Sequence, residues 1–325
     1  MSDTTDTILV TGGCGYIGSA LLRRLGAAGY AEIRILDNFS RGTPAALRNL
    51  PAGPRYRFYE ADILNRDILR IALSGVDAVI HLAALAQRPL SFSQPDRLQQ
   101  VNHWGTAGVV EECLAEGVER LIYLSNTAVY GPGEKAAEDA VCRPLGPVAQ
   151  SVLGAEESVR AANVRGLPAT VFRIGTVYGS APVMRFDEFV NRFVYLAGTR
   201  RPLTIYGEGS QKRPIIHVDD VCRAVEFALA DDDTRFATFN ANEDNYAVGD
   251  VVKTIVDISE AASVRFTEQD IRTRYSFEVD DAKIRALGWG PETTLSAGAG
   301  ELLSSFSGFA LPGGDDEQDV ELANQ

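Results

Sequence analysis

The stretch Thr7-Ile8-Leu9-Val10-Thr11-Gly12-Gly13-Cys14-Gly15-Tyr16-Ile17-Gly18 decides how this chain folds. Thr7 to Val10 form a short apolar run, and Gly12, Gly15 and Gly18 follow in a Gly-x-x-Gly-x-x-Gly spacing. Ile17, Ala20, Leu21, Leu22 and Leu25 then recur on one helical face until Gly26 and Gly29 interrupt it. The order is therefore strand, tight turn, helix. Glycines at such a turn let the backbone close sharply and approach a pyrophosphate, whose charge sits at the helix N-terminus where free N–H groups converge.

A second apolar run, Ile33-Arg34-Ile35-Leu36, ends in Asp37. An acid about twenty residues beyond the glycines accepts hydrogen bonds from the adenosine ribose hydroxyls and repels a 2′-phosphate, which favours NAD over NADP. Arg41 keeps NADP open, because an arginine nearby can hold the extra phosphate. The bland reading of the segment is a βαβ unit that binds nothing.

Past Asp37 the pattern alternates as a parallel sheet with crossover helices requires. Strands are predicted at 57–60, 78–81, 121–124 and 169–173, and helices near 65–73, 97–116 and 148–164. After about residue 180 the regular alternation gives way to shorter elements mixed with Pro and Gly, predicting a smaller C-terminal lobe. The predicted organisation is 1–180 for the dinucleotide-binding domain with returning segments from the later half, 181–310 for the substrate lobe, and 311–325 for a solvated acidic tail after Pro312-Gly313-Gly314.

The 325 residues carry a net charge of −13, which argues against a nucleic-acid partner because phosphate binding needs a basic surface. No run of about 18 apolar residues and no basic-then-apolar leader is present, so the cytoplasm is the expected location. Cys14, Cys113, Cys142 and Cys222 are widely spaced and do not pair with histidines at metal-ligand intervals, so they read as structural thiols, with no metal site expected.

These residues resemble the extended short-chain dehydrogenases/reductases that act on nucleotide sugars, the NAD-dependent epimerases and dehydratases. The resemblance covers about residues 7 to 306. Thr11 to Ser19 is similar to the family's glycine signature, with Tyr16 and Ile17 at the cofactor, and Leu36-Asp37-Asn38-Phe39-Ser40-Arg41-Gly42 to its ribose loop. Ala61-Asp62-Ile63 resembles the adenine-contacting segment. His81-Leu82-Ala83-Ala84 resembles the turn under the cofactor, and Asn102 with Gly105-Thr106 a structural Asn-x-x-Gly-Thr. In the later half, Pro202 to Gly209, Gln211, Arg213 and His217-Val218-Asp219-Asp220-Val221 are similar to the sugar-nucleotide lobe. The resemblance implies a Rossmann-type doubly wound α/β sheet with a smaller α/β substrate lobe, NAD as cofactor and a nucleotide sugar as ligand. Arg213 and Arg272 are implied at the diphosphate, and Ser91 and Thr176 at the substrate. It also implies a homodimer through helices near 97–116 and 148–164, with a heterodimer as the alternative.

Hydride transfer from a sugar alcohol needs a base for the hydroxyl proton. The family supplies a tyrosine with a lysine four residues later on the same helix face, where the ammonium lowers the phenol pKa. This sequence has no Tyr-x-x-x-Lys. Anchored on Pro147, Ala155 and Glu156, the tyrosine position holds Val148 and the lysine position Val152, while Asn126 stands where the catalytic hydroxyl belongs. No realignment recovers the pair, because between Gly131 and Thr176 there is no tyrosine and the only lysine is Lys135. Val148, Val152, Ala155 and Val159 instead form an apolar stripe of core or dimer-interface character. Substitute groups are Tyr130, Glu134, Lys135, Cys142 and His103, each with a plainer reading as pocket wall, solvated loop or buried histidine. Two functions follow: an NAD-dependent nucleotide-sugar enzyme with an altered acid–base set, or a catalytically silent descendant that retains NAD and nucleotide-sugar binding.

Overall fold

A computed structural model describes residues 6–86, 94–259, 263–267 and 276–308. Ser91, Arg272 and the acidic tail lie outside these residues. The central sheet has seven parallel strands in the order β3-β2-β1-β4-β5-β6-β10. They are β1 Thr7–Thr11, β2 Glu32–Asp37, β3 Arg55–Glu60, β4 Ala78–His81, β5 Arg120–Asn126, β6 Ala169–Ile174 and β10 Thr238–Ala241.

Helices α1 Tyr16–Ala27, α2 Arg66–Leu73, α3 Thr106–Glu116, α4 Pro147–Val164, α5 Phe189–Gly198 and α6 Val218–Ala230 connect or flank these strands. Successive strand residues point to opposite faces. In β1, Ile8 and Val10 join a buried cluster with Leu21, Leu22 and Leu25 of α1 and Val221 and Val225 of α6. Leu9, between them, joins the opposite cluster with Leu69 of α2, Val109 of α3 and Val159 of α4. Both faces are covered, so the sheet is doubly wound. The order reverses at β1 and β4, and in such sheets ligands bind beyond the strand ends at that switch.

The predicted strands all form, and β4 matches its predicted bounds. The long helix predicted near 97–116 is instead a short turn, Pro95–Leu98, then a π-helical stretch, Gln99–Gly105, before α3. Beyond β6 the C-terminal lobe holds a three-stranded sheet of β7 Thr176–Tyr178, β9 Lys212–His217 and β11 Asp244–Ala247, and a pair of β8 Leu203–Tyr206 with β12 Val264–Thr267. Helices α7 Val248–Ile258 and α8 Leu295–Ser304 pack with α5 over a third core around Leu203, Ile215 and Val251. The later half also returns α6 and β10 to the first lobe. Among the described residues no helix is long and apolar enough to cross a membrane.

Candidate active site

The three signature glycines have different tasks. Gly12 has φ +70° and lies against the β4 turn, where a Cβ would stand 2.6 Å from the Ala83 nitrogen. Gly18 packs on the loop itself, where a Cβ would stand 2.5 Å from the Gly12 oxygen. A Cβ on Gly15 would meet only that oxygen, at 3.3 Å. Gly15 is also the residue before α1, and it offers no capping side chain. The first turn of α1 thus has no side-chain cap, the arrangement that takes an anion.

Asp37 ends β2 and is 8 % exposed. Its Oδ2 accepts the Cys14 N–H at 2.9 Å and its Oδ1 the Phe39 N–H at 2.8 Å. Burial raises its pKa against the pull of those two bonds, a cost that ribose hydroxyl donors would offset. Asn38 donates to Asp62 at 3.0 Å, and Asp62 also accepts from Arg97 at 3.0 Å and from the Leu64 N–H. Ile63 is buried beneath the segment and packs where a Gly105 side chain would stand. The residues that the sequence reading assigns to the ribose and adenine are therefore brought to one edge.

Asn102 holds the turn formed by Leu82, Ala83 and Ala84. Its Oδ1 accepts the Leu85 N–H at 2.7 Å, and its amide donates to the Leu85 carbonyl and to Ser151 Oγ, both at 2.9 Å. With both amide hydrogens used, Asn102 positions the cofactor turn. Below it, His81 lies between Thr11 Oγ1 at 2.6 Å and Thr106 Oγ1 at 2.9 Å. Thr106 gives its own hydrogen to the Asn102 carbonyl, so the ring donates from Nε2 and accepts at Nδ1. Burial pushes the His81 pKa down to about 4. Tyr16 likewise turns inward, donating to the Gly179 carbonyl at 2.7 Å and accepting from Asn191 at 3.2 Å, so its side chain joins the lobes.

At the positions that the family resemblance assigns to catalysis, Asn126 accepts the Ala128 N–H at 3.1 Å and caps the turn after β5. Val148 is half-buried in the first turn of α4. Val152 is 4 % exposed and belongs to a separate apolar cluster with Val129, Tyr130, Ala136, Phe277 and Val279. The expected stripe is thus divided, since Ala155 and Val159 belong to the main core.

The substitute groups stand in different surroundings. Tyr130 donates to Asn240 Oδ1 at 2.7 Å and accepts from Arg173 at 2.8 Å, with its pKa pushed up to about 12 by burial. His103 packs against Gly154 of α4 and meets Gln99 at 3.3 Å. Glu134 and Lys135 are exposed, Lys135 lying 3.7 Å from Asp280. Cys142 is half-buried with its thiol pKa raised by burial. In the C-terminal lobe, Thr176 opens β7 and is paired with Ile215 of β9. Arg213, two residues earlier on β9, lays its guanidinium over the Phe277 ring at 5.3 Å.

This arrangement has known counterparts. The sequence pattern of the NAD-dependent epimerase/dehydratase family matches residues 8–241. The chain belongs to that family. Among curated relatives it is 28 % identical, over 91 % of its length, to a trifunctional UDP-glucose 4,6-dehydratase/UDP-4-keto-6-deoxy-D-glucose 3,5-epimerase/UDP-4-keto-L-rhamnose-reductase of Arabidopsis thaliana, of which it spans 46 %. The chain thus spans about half the length of that relative. It is 27 % identical to a UDP-glucuronate 4-epimerase of Thermodesulfobacterium geofontis over 89 % of this chain and 93 % of that one. The dTDP-glucose 4,6-dehydratase DesIV of Streptomyces venezuelae, solved with NAD bound, superposes with a TM-score of 0.82 at 28 % identity over 92 % of this chain and 96 % of its own. MoeE5, solved with UDP-glucuronic acid and NAD, gives 0.81 at 29 % identity over 92 % and 98 %.

Sequence reasoning missed the buried frame behind this family site. Arg173 and Glu156, 2 % and 0 % exposed in their side chains, pair at 2.7 Å, and Ser125 Oγ donates to Glu156 at 2.5 Å. The frame fixes α4 to the ends of β5 and β6. An arginine within the apolar strand Ala169–Ile174 was the available signal, because a cation there must find a buried carboxylate. Phe277 and the inter-lobe arginine Arg185 gave no such local signal.

Proposed function

We propose that this chain binds NAD, in preference to NADP, together with a nucleotide sugar, and does so without a tyrosine–lysine proton-transfer step, as a silent binding or partner subunit working in the cytoplasm. The observation that carries this reading is the burial of Val152 in an apolar cluster where the family's ammonium would stand. The cofactor side supports it through the uncapped start of α1 after Gly15 and the buried Asp37. Those groups fit a dinucleotide: the first turn of α1 would hold the diphosphate and Asp37 the ribose. Bound NAD supplies a hydride acceptor. The chain, for its part, contributes binding groups and leaves the proton of a sugar hydroxyl without a partner at positions 148 and 152.

Thr176 and Arg213 at the second lobe support a nucleotide-sugar ligand. They also favour the competing reading, an epimerase, dehydratase or ketoreductase with another acid–base set, since a retained substrate lobe is what such an enzyme requires. Calorimetric titration with NAD, NADP and a series of UDP- and dTDP-sugars tests the binding claim. Saturable binding of NAD and of at least one sugar nucleotide is the expected result, and the absence of either contradicts it. The pairing of two copies through the outward faces of the π-helical stretch, α3 and α4 belongs to the same proposal.

A further inference from the structure

Helix α5 ends in a motif that brings two arginines together. The Arg200 N–H bonds to the Ala197 carbonyl at 3.0 Å and the Arg201 N–H to the Leu196 carbonyl at 2.8 Å, the paired bonds that close a helix through one left-handed residue. That residue is Arg200, with φ +56°, at the position where glycine is the usual choice. Arg192 lies in the first turn of the same helix, about 12 Å from Arg200 along the axis. Arg192 and Arg200 are exposed and Arg201 is half-buried. Among the described residues, none of these three side chains makes a hydrogen bond or an ion pair. Other helix arginines, Arg24, Arg160 and Arg223, each meet a carboxylate. In a chain with 44 acidic and 31 basic side chains, three neighbouring cations without an acid call for one. The helix dipole accounts for Arg200 and Arg201 at the C-terminal end, but it opposes Arg192 in the first turn.

The same end of α5 receives the residues that follow α8. Phe306 packs on Gly198 so closely that a Cβ on Gly198 would stand 2.7 Å from the Phe306 Cβ. Its ring lies 5.7 Å from that of Tyr195 and 6.0 Å from that of Phe186, which is still 37 % exposed. After Gly308 the sequence runs Phe309-Ala310-Leu311, then Pro312-Gly313-Gly314, then Asp315, Asp316, Glu317, Asp319 and Glu321 without a base. Asp315 is seven residues past Gly308, a reach of at most about 25 Å. An apolar triplet therefore starts beside a partly covered aromatic cluster, and five acids follow within reach of three unmatched arginines. A net charge of −13 repels free acidic partners, whereas a tethered segment is present at an effective concentration on the order of millimolar.

We propose that the acidic segment 315–321 docks in cis on Arg192, Arg200 and Arg201, with Phe309 to Leu311 covering Phe186 and Tyr195. The occupant of this face is the chain's own C-terminal segment, and the contact is held by charge at its far end and by apolar cover at its near end.

A spin label at Gln318→Cys tests this in the full chain, with Cys142→Ser so that the remaining native thiols, Cys14, Cys113 and Cys222, are all buried. The label reports docking through paramagnetic broadening of the amides of 192–201. At low salt these amides are expected to lose most of their intensity, and to regain it at about 0.5 M NaCl, where the Debye length is about 4 Å. Each arginine changed to Gln should weaken docking roughly twofold to fivefold. Arg200→Gly suits the left-handed position, so it should fold at least as well as wild type while docking more weakly. Unbroadened amides at low salt overturn the proposal, as does broadening that survives both salt and Arg200→Gly. Broadening that grows with protein concentration assigns the face to the segment of a second copy and overturns it as well.

Discussion

Gly18 packs against Gly12 so closely that a Cβ on Gly18 would stand 2.5 Å from the Gly12 carbonyl oxygen, whereas a Cβ on Gly15 would stand 3.3 Å from it, a tight contact that a shift of a few tenths of an ångström relieves. Backbone cannot yield as a side-chain tip can, so Gly18→Ala must move α1 off the turn, at a cost of about 1–3 kcal/mol in stability. Gly15→Ala has φ −80° and ψ −174°, which any residue adopts, and should unfold within about 1 kcal/mol of wild type. It should nonetheless lose NAD at least tenfold, because the new methyl group faces the anion position. Urea unfolding and NAD titration of the two variants check this, and full NAD affinity in Gly15→Ala would count against the assigned phosphate site.

His81 gives a pH dependence of defined sign. Its folded-state pKa is depressed from 6.5 to about 4, so the unfolded chain takes up a proton first as pH falls. The stability contribution is fully present above pH 6.5 and is lost as pH falls through the folded value, amounting to about 3 kcal/mol. Unfolding free energies of wild type and His81→Gln between about pH 7.5 and 4 isolate it. The wild type should show the steeper decline, and parallel profiles would contradict the buried neutral ring.

Restoring the missing lysine should not restore a working dyad. Val152→Lys places an ammonium among Val129, Tyr130, Phe277 and Val279, and Glu156 one turn on is already bonded to Arg173, Ser125 and Arg160. A fully buried lysine has its pKa lowered by several units, a penalty of about 4 kcal/mol at neutral pH that shrinks as pH rises toward its ordinary value. Denaturation curves at pH 7 and about pH 10 measure this directly. A Val148→Tyr, Val152→Lys double variant that is as stable as wild type and turns over sugar nucleotides would show that the site had merely lain dormant.

Trp104, on the π-helical stretch, is 69 % exposed, and Val164, at the end of α4, is 90 % exposed. Large apolar groups left on two neighbouring helices fit a face that a second copy covers. Sedimentation equilibrium should find a dimer for the wild type and a monomer for Trp104→Glu. A monomeric wild type, or a variant that stays dimeric, rejects this interface.

The cofactor half of the fold was legible because it is written locally. A strand, three glycines, a helix and an acid occur in order, and β1, α1 and Asp37 form where that order puts them. The absence of a Tyr-x-x-x-Lys spacing is a local feature of the same kind, since two side chains on one helix turn have a fixed spacing. Contacts between distant segments were not legible. Phe277 reaches Val129 and Val152 through tertiary packing, Tyr16 spends its hydroxyl on Gly179, and Arg41 meets Asp187 across the two lobes. No periodicity encodes such pairs. The π-helical stretch escaped too, because its residues keep a pattern that an ordinary helix also satisfies.

The central claim, that NAD is held here without the family's proton-transfer step, is tested most directly by mixing NAD-loaded protein with a panel of UDP- and dTDP-sugars. Absorbance of reduced nicotinamide and the identity of the recovered sugars would be followed together. The account predicts retained NAD, no substrate-dependent absorbance change and sugars recovered unaltered. A sugar-dependent rise in reduced nicotinamide, or an epimerised or dehydrated product, would contradict it.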